Sequence, residues 1–446
     1  MSTEKCRAIV ARDEKVIAPC QRFSYYPLAI EKVEGAVITD ADGNEYIDFL
    51  SSASSLNLGG QHPAVTKAIH EQVDRYTQYA NAYMYNERTV EYAERLTSVY
   101  PGGVKAKIAF GNCGSDGNDC AVKFARAFTG RPKIIVFQNG YHGNTYGSST
   151  MTTCSEKMHD RMGPFLPEIY VFPFFGIDVD DETCERECVA EMERAFAADL
   201  PADQVAAVVI EPIQGDGGIL PAHPIFMKKL HALCQKHGIL FISEEVQQAF
   251  YRTGKFFAIE HYGIVPDGII MGKSIGAGLA LGAFMARDEI MDCLPAPAHL
   301  FTLGGHALAC AAGSAAFDVY QTETFQAELR EHIATLEAEA AALQARHPDM
   351  VQFVRNVGMS MGIGVCDPEH GDDQSANNNA TFKVLFRAYE NGLVMISLAG
   401  NVLRIQPPLV ITSEQLRKAF AIIGDAMDDF KAGLIPDDVL QYRAGW

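Results

Sequence analysis

Pro266-Asp267-Gly268-Ile269-Ile270-Met271-Gly272-Lys273-Ser274 reads as a buried strand that delivers a lysine into a glycine-lined turn. The run 269–271 is short and apolar, Gly272 ends it, and Gly276 and Gly278 keep the following backbone thin. A lysine so placed is poorly solvated. Burial favours the neutral, nucleophilic amine, which is the form Schiff-base chemistry needs. The alternative is a surface lysine that merely follows a strand. Gly-Lys-Ser also suggests a phosphate loop, but Gly268 sits one residue too close to Lys273 for that motif.

Working outward, apolar runs alternate with helical patterns from about residue 105 to 285. Strands are expected at 107–110, 133–137, 169–172, 206–210, 240–243, 268–271 and 281–285. Such alternation gives an α/β fold with a mostly parallel, buried sheet and helices on both faces. The last two strands are too close for a crossover helix, so one of them runs antiparallel. Upstream, residues 35–49 alternate around an Asp-Gly turn and read as a β-hairpin. Residues 51–55 form a small-residue loop, either a plain connector or a close approach to a ligand. Helices follow from Pro63, with Val65, Ala68, Ile69 and Val73 on one face, and from Glu87 to Val99. A long helix over 325–346 leads to strands near 361–365, 394–397 and 402–405. A final helix, capped by Ser413, runs to about Lys431. The organisation expected is an N-terminal segment, 1–60, packing with a small domain, 326–446, and a large domain, 61–325.

A chain of 446 residues buries a core of this size without staples. Its net charge of −19 argues against nucleic acid or an anionic membrane as partner. Eleven cysteines without a CxxC pair fit reduced thiols rather than a disulfide framework. Cys184 and Cys188 share a helix face, but no further ligand lies nearby in sequence, and no metal is expected. There is no apolar leader at Met1–Arg12 and no run of about 18 apolar residues. A cytoplasmic location is expected.

Four stretches follow strands, where ligands bind in open α/β sheets. The first is Gly111-Asn112-Cys113-Gly114-Ser115-Asp116-Gly117, a glycine-rich turn opening a helix. It is either a phosphate cradle, with Ser115 donating its hydroxyl, or an ordinary N-cap. In Asn139-Gly140-Tyr141-His142-Gly143, an aromatic between glycines can stack on a flat ring or cover the core. Glu211-Pro212-Ile213-Gln214-Gly215-Asp216-Gly217-Gly218 places two carboxylates about a turn. Asp216 there lines a cavity or makes an Asx-turn. In Ser243-Glu244-Glu245-Val246-Gln247, adjacent glutamates point to opposite faces, so one can meet a ligand while the other holds the scaffold. Phosphate cradle, aromatic, carboxylate and lysine in this order describe a site for pyridoxal 5′-phosphate (PLP).

From about Tyr25 onward the chain resembles the class III aminotransferase family of fold type I PLP enzymes. The resemblance rests on FGNCGSDGNDCAVKFAR, YHG, EPIQGDGG, EEVQ, MGKS, FTLGG and LRIQPPLVIT. Within that family it is most similar to the amino-acid racemases and 2-epimerases. The features are Asp216 in EPIQGDGG, PAPAHLFT at 295–302 and LAGNVLRIQPPLV at 398–410. The resemblance implies a large PLP-binding domain with a seven-stranded sheet and a smaller α+β domain. Lys273 would carry the cofactor as a Schiff base, and Gly114 and Ser115 would hold its phosphate. Tyr141, with His142 beside it, would stack on the ring and border the substrate. Glu244 would face the pyridine nitrogen, Val246 the ring face and Gln247 the phenolic oxygen. Thr302 would reach the phosphate of a neighbouring subunit, implying a homodimer or higher homo-oligomer with shared active sites. Arg404 is the candidate for the substrate carboxylate. Two positions depart from the family: Glu244 replaces an aspartate, and His306 and Ala307 replace asparagine and proline after FTLGG.

The expectation is a racemase or 2-epimerase of apolar amino acids, with Lys273 and Asp216 exchanging the α-proton on opposite faces. An aminotransferase shares every step up to proton abstraction and is the alternative. A PLP-binding protein without turnover fits less well, because Lys273, Glu244 and Asp216 are all present.

Overall fold

The computed structural model describes residues 2–443. Met1 and residues 444–446, where the last positions of the expected small domain fall, lie outside the described residues. The chain forms two compact units: Pro63–Gln321, and a second made of Met1–His62 together with Thr322–Trp446.

The Pro63–Gln321 unit is built on one seven-stranded sheet. Its order is Ala106–Gly111, Gly282–Arg287, Gly268–Met271, Leu240–Glu244, Val205–Ile210, Lys133–Phe137, Ile169–Phe172. These are the seven strands expected from the sequence, with small shifts at some ends. Gly282–Arg287 runs antiparallel to both neighbours; the other pairings are parallel. The central strands are apolar on both faces because both are covered. Helix Gly114–Thr129 covers one, packing Cys120, Val122 and Phe124 into a core with Ile134, Val136, Val209, Ile242, Ile270 and Phe284. Helix Pro224–His237 covers the other, where Phe226 meets Phe137 edge-on at 5.4 Å between ring centroids. Left-handed glycines stop both helices, Gly130 at φ 69° and Gly238 at φ 62°. Five parallel strands, those ending at Gly111, Phe137, Ile210, Glu244 and Met271, therefore open onto one sheet edge.

The second unit holds two four-stranded sheets. The expected hairpin is there as Val37–Asp40 and Glu45–Asp48, preceded by a third strand, Ile30–Glu34. The Asp40 carboxylate accepts the N–H groups of Asp42 and Asn44, which fixes the turn. The single strand expected near 394–397 is two. Leu393–Val394 pairs parallel with Glu45–Asp48, and Ile396–Leu398 pairs antiparallel with Val402–Ile405. Tyr26 lies at the switch, its hydroxyl donating to the Met395 carbonyl between them. Strand Val351–Val357 and helix Gln374–Glu390 had no counterpart in the sequence reading. The last helix, Ser413–Lys431, is capped by Thr412 rather than Ser413: Thr412 Oγ1 accepts from Gln415 N–H, and the Gln415 side chain accepts from Thr412 N–H.

All eleven cysteines are free thiols. Among the described residues no helix is long and apolar enough to cross a membrane.

One glycine sets how closely the covering helix approaches the sheet. A Cβ on Gly282 would lie 1.8 Å from the Cys113 carbonyl oxygen, just before helix Gly114–Thr129. Gly282→Ala is expected to destabilise the protein by about 3 kcal/mol, measured as a lower urea midpoint. An unchanged midpoint would mean that this approach is not tight.

Candidate active site

Each of the four stretches, and Lys273, lies just beyond a strand end on the same sheet edge. Lys273 follows Met271 by two residues and begins a short 3₁₀ turn, Lys273–Gly276. Its φ is 47°, in the left-handed region. A non-glycine residue held there costs of order 1 kcal/mol, and such strain concentrates at functional sites.

Val246 wedges between the lysine turn and the helix that follows the first strand. A Cβ on Gly272 would lie 2.9 Å from Val246 Cγ1, and one on Gly114 would lie 2.8 Å from the same atom. Glycine at both positions lets the two turns close on one side chain. Helix Gly114–Thr129 begins there. Its N-cap is Cys113, with no side-chain hydrogen bond to the first turn. Ser115 is inside the helix rather than its cap, and its hydroxyl accepts the Asn144 N–H at 3.1 Å.

Tyr141 and His142 sit on the next strand end. The Tyr141 N–H donates to Glu211 Oε1 at 2.9 Å, and its hydroxyl accepts from Asn144 Nδ2 at 2.8 Å. Burial, and then the Asp216 charge, pushes the Tyr141 hydroxyl above its ordinary pKa. His142 is buried, and its Nδ1 has no hydrogen-bond partner among the described residues. Burial lowers its pKa to about 4, so the ring is neutral.

The two adjacent glutamates divide as their strand position requires. Glu245 serves the scaffold: it accepts from Ser243 Oγ and from the N–H groups of Ala258 and Ile259. Burial still pushes its pKa up to about 7. Glu244 is buried at the strand's last position. Burial raises its pKa well above the carboxylate range; the Glu211 charge adds to this, and Lys273 opposes it. Glu211 is likewise raised by burial, with its N–H donors and Lys273 opposing and Asp216 adding. Lys273 is thus the cation acting on two buried carboxylates.

The turn carrying Asp216 closes on Gln247. A Cβ on Gly215 would fall 2.3 Å from Gln247 Nε2, and the Gly215 N–H donates to Glu211 Oε2 at 3.0 Å. Asp216 is half-buried and near enough to act electrostatically on Tyr141, Glu211 and Cys154. One cluster of the Pro63–Gln321 unit therefore joins Lys273, Glu244, Val246, Gln247, Gly114, Tyr141 and Asp216. Thr302 is exposed, and its carbonyl accepts from Gln78 Nε2 at 2.8 Å.

Arg404 belongs to the other unit, on strand Val402–Ile405. It is buried, donating to Gln406 Oε1 and, at 3.2 Å, to Ser54 Oγ. Ser51, Ser52, Ala53 and Ser54 are all left-handed, with φ from 45° to 64°. Each costs of order 1–2 kcal/mol, and Ser51 and Ser54 bind Gln406 through their hydroxyls. The small side chains of 51–54 signalled this turn; nothing in the pattern signalled its handedness. Cys154, near Asp216 and Glu211, is another residue whose place the sequence did not disclose.

The family model for class III aminotransferases matches residues 21–427. The chain belongs to the class III aminotransferase family. It is 39% identical to isoleucine 2-epimerase of Lentilactobacillus buchneri, over 99% of each chain. It is 34% identical to leucine/methionine racemase of Thermococcus litoralis, over 98% of this chain and 99% of that one. Acetylornithine aminotransferase of Methanopyrus kandleri is 35% identical over 91% of this chain and 95% of its own. Among solved structures, an amine transaminase from an uncultivated Pseudomonas species in its PLP-bound form superposes with a TM-score of 0.82. It is 26% identical and covers 93% of this chain and 96% of its own.

The cofactor of this family member is pyridoxal 5′-phosphate, and the cluster fits it. The helix N-terminus at Gly114, uncapped by a side chain, suits a phosphate. The buried Glu244 suits a cationic ring nitrogen, whose charge would join that of Lys273 in offsetting two carboxylates.

Glu244→Gln is expected to keep the cofactor bound yet slow exchange of the substrate α-proton by roughly 10²-fold, the scale for losing one buried electrostatic stabiliser. Glu245→Gln is expected instead to lower the unfolding temperature, since an amide cannot accept all three of its hydrogen bonds. Solvent deuterium exchange at Cα and a thermal scan separate the two. Unchanged exchange in Glu244→Gln would remove that residue from the ring nitrogen.

Proposed function

We propose that this enzyme is a racemase or 2-epimerase that inverts Cα of apolar amino acids. The observation that carries the reading is the placing of Asp216 in the same cluster as Lys273, where both act on the buried Glu211. Inversion needs two acid–base groups, because a single lysine on one face returns the proton where it came from. The full-length relatives named isoleucine 2-epimerase and leucine/methionine racemase support this reading and suggest branched or linear apolar substrates.

Bound PLP supplies an electron sink that acidifies the α-proton of an amino acid joined to it. Everything else falls to side chains of this protein. Gly114 and Ser115 would hold the phosphate, and Tyr141, with His142 behind it, would cover one ring face. Val246 would cover the other, Gln247 would meet the phenolic oxygen, and Glu244 would keep a positive charge on the ring nitrogen. Arg404 would take the substrate carboxylate as a bidentate partner. Lys273 would remove the α-proton from one face, and Asp216 would return one from the other. The enzyme would work as a homodimer or a higher homo-oligomer, with Thr302 reaching the neighbouring phosphate. The exposure of Tyr79, Tyr83, Tyr85, Leu300 and Leu303 supports this, since large apolar side chains so gathered mark interfaces. Gln78, hydrogen-bonded to Thr302, ties the two stretches together.

An aminotransferase is the second reading. It is favoured by the acetylornithine aminotransferase relative, which is similar over almost the same span. The two part at Asp216, which transamination does not require as a second proton donor.

Lys273→Ala is expected to lose both the visible absorbance of the lysine-linked cofactor and all turnover. Asp216→Asn is expected to retain that absorbance and to keep exchanging the α-proton of one enantiomer in D₂O. It should lose interconversion of the L and D forms by on the order of 10² or more. Near-wild-type interconversion in Asp216→Asn would overturn the two-base assignment.

A further inference from the structure

Glu211, buried beside this cluster, has no role in the reaction as described. It is 5% exposed, and its two oxygens serve two different loops. Oε1 accepts the Tyr141 N–H at 2.9 Å, and Oε2 accepts the Gly215 N–H at 3.0 Å. The first loop carries the ring-covering tyrosine; the second carries Asp216. The loops have further ties: the Asn144 N–H donates to Ser115 Oγ, and Gln214 Nε2 donates to the Gln138 carbonyl at 2.7 Å, a second link between the two loops. Gly140 exchanges hydrogen bonds with Thr153, and Gly218 and Ile219 donate back to the Gly215 carbonyl.

We propose that Glu211 is a positioning residue. Its carboxylate clamps the Tyr141 loop to the Asp216 turn and acts electrostatically on Lys273. The proposal rests on the racemase reading only for the role it gives Asp216. The chemistry selects a carboxylate here. An ionised carboxyl group offers lone pairs on both oxygens and so accepts two N–H groups at once. A glutamine of the same shape offers one acceptor and sets an NH₂ group against the other N–H. An aspartate keeps the charge but is one methylene shorter and cannot span both loops. The titratable groups that act on Glu211, or on which it acts, are Asp216, Glu244, Cys154 and Lys273; only Lys273 is a cation. A buried carboxylate beside three acids has Lys273 as its charge partner, and the lysine nitrogen must feel the loss of that charge in turn.

The test uses Glu211→Gln and Glu211→Asp with two readouts. The first is hydrogen–deuterium exchange of the cofactor-free proteins, followed in peptides spanning 139–145 and 213–219. Both segments are expected to exchange about tenfold faster in both variants, the scale of one lost buried hydrogen bond. The second is the pH midpoint of the visible absorbance of the holoenzyme. Removing a negative charge near the lysine nitrogen destabilises its protonated form. The midpoint is therefore expected to fall by about one unit in Glu211→Gln and to stay in place in Glu211→Asp. The clamp is overturned if either segment keeps wild-type protection in both variants. The charge pairing, and with it the proposal, is overturned if the Glu211→Gln midpoint does not move or if Glu211→Asp moves it equally. Absence of inversion by the wild-type enzyme would sink the racemase reading instead, and both readouts on Glu211 would still be read.

Discussion

Two carboxylates buried at the open edge of one sheet need positive charge, and the site is arranged around that need. Glu211 and Glu244 lie at or beyond the ends of neighbouring parallel strands, Val205–Ile210 and Leu240–Glu244. Burial drives both toward the neutral acid, and Lys273 opposes it for both. A buried charge costs several kcal/mol unless it is paired, and Lys273 is the cation that acts on both acids. Pyridoxal 5′-phosphate would bring a basic ring nitrogen for Glu244 to face and an aldehyde for Lys273. Glu245, one residue away, is committed to the scaffold. Three hydrogen bonds from its own scaffold hold it on the opposite side of the strand.

Close approach is the second constraint. Val246 and Gln247 can sit where they do because Gly114, Gly272 and Gly215 carry no side chain to displace them. The loops thus converge on side chains of the Glu244–Gln247 stretch, and the strained Lys273 backbone is held between them. The side chains gathered at five strand ends keep their spacing because the sheet beneath is packed on both faces and cannot shift without opening its core.

Much of this was legible in the sequence. The seven strands stood out because short apolar runs between glycine-rich turns have few other uses, and the reversal of one of the last two strands followed from their short connection. The stretches gathered at this sheet edge were legible because each follows a strand and pairs a glycine with one reactive side chain. Helix Gln374–Glu390 was missed: it opens on three asparagines, Asn377, Asn378 and Asn379, which favour turns and mask its apolar face. The split at Met395 and the left-handed turn at Ser51–Ser54 depend on partners hundreds of residues away, Tyr26 and Gln406. Glu211 was visible as a carboxylate after a strand. That it serves two loops depends on the side-by-side order of strands Lys133–Phe137 and Val205–Ile210 in the sheet, which no local pattern encodes.

The choice between inversion and amino transfer is the central claim. It is tested most directly by incubating the PLP-loaded enzyme with a single apolar L-amino acid, without any keto acid, and resolving the products on a chiral column. Accumulation of the Cα-inverted amino acid toward equilibrium, with no keto acid formed, is the expected result for a racemase. Turnover only on addition of a keto-acid acceptor, with the L-amino acid converted to its own keto acid and none inverted, would contradict it.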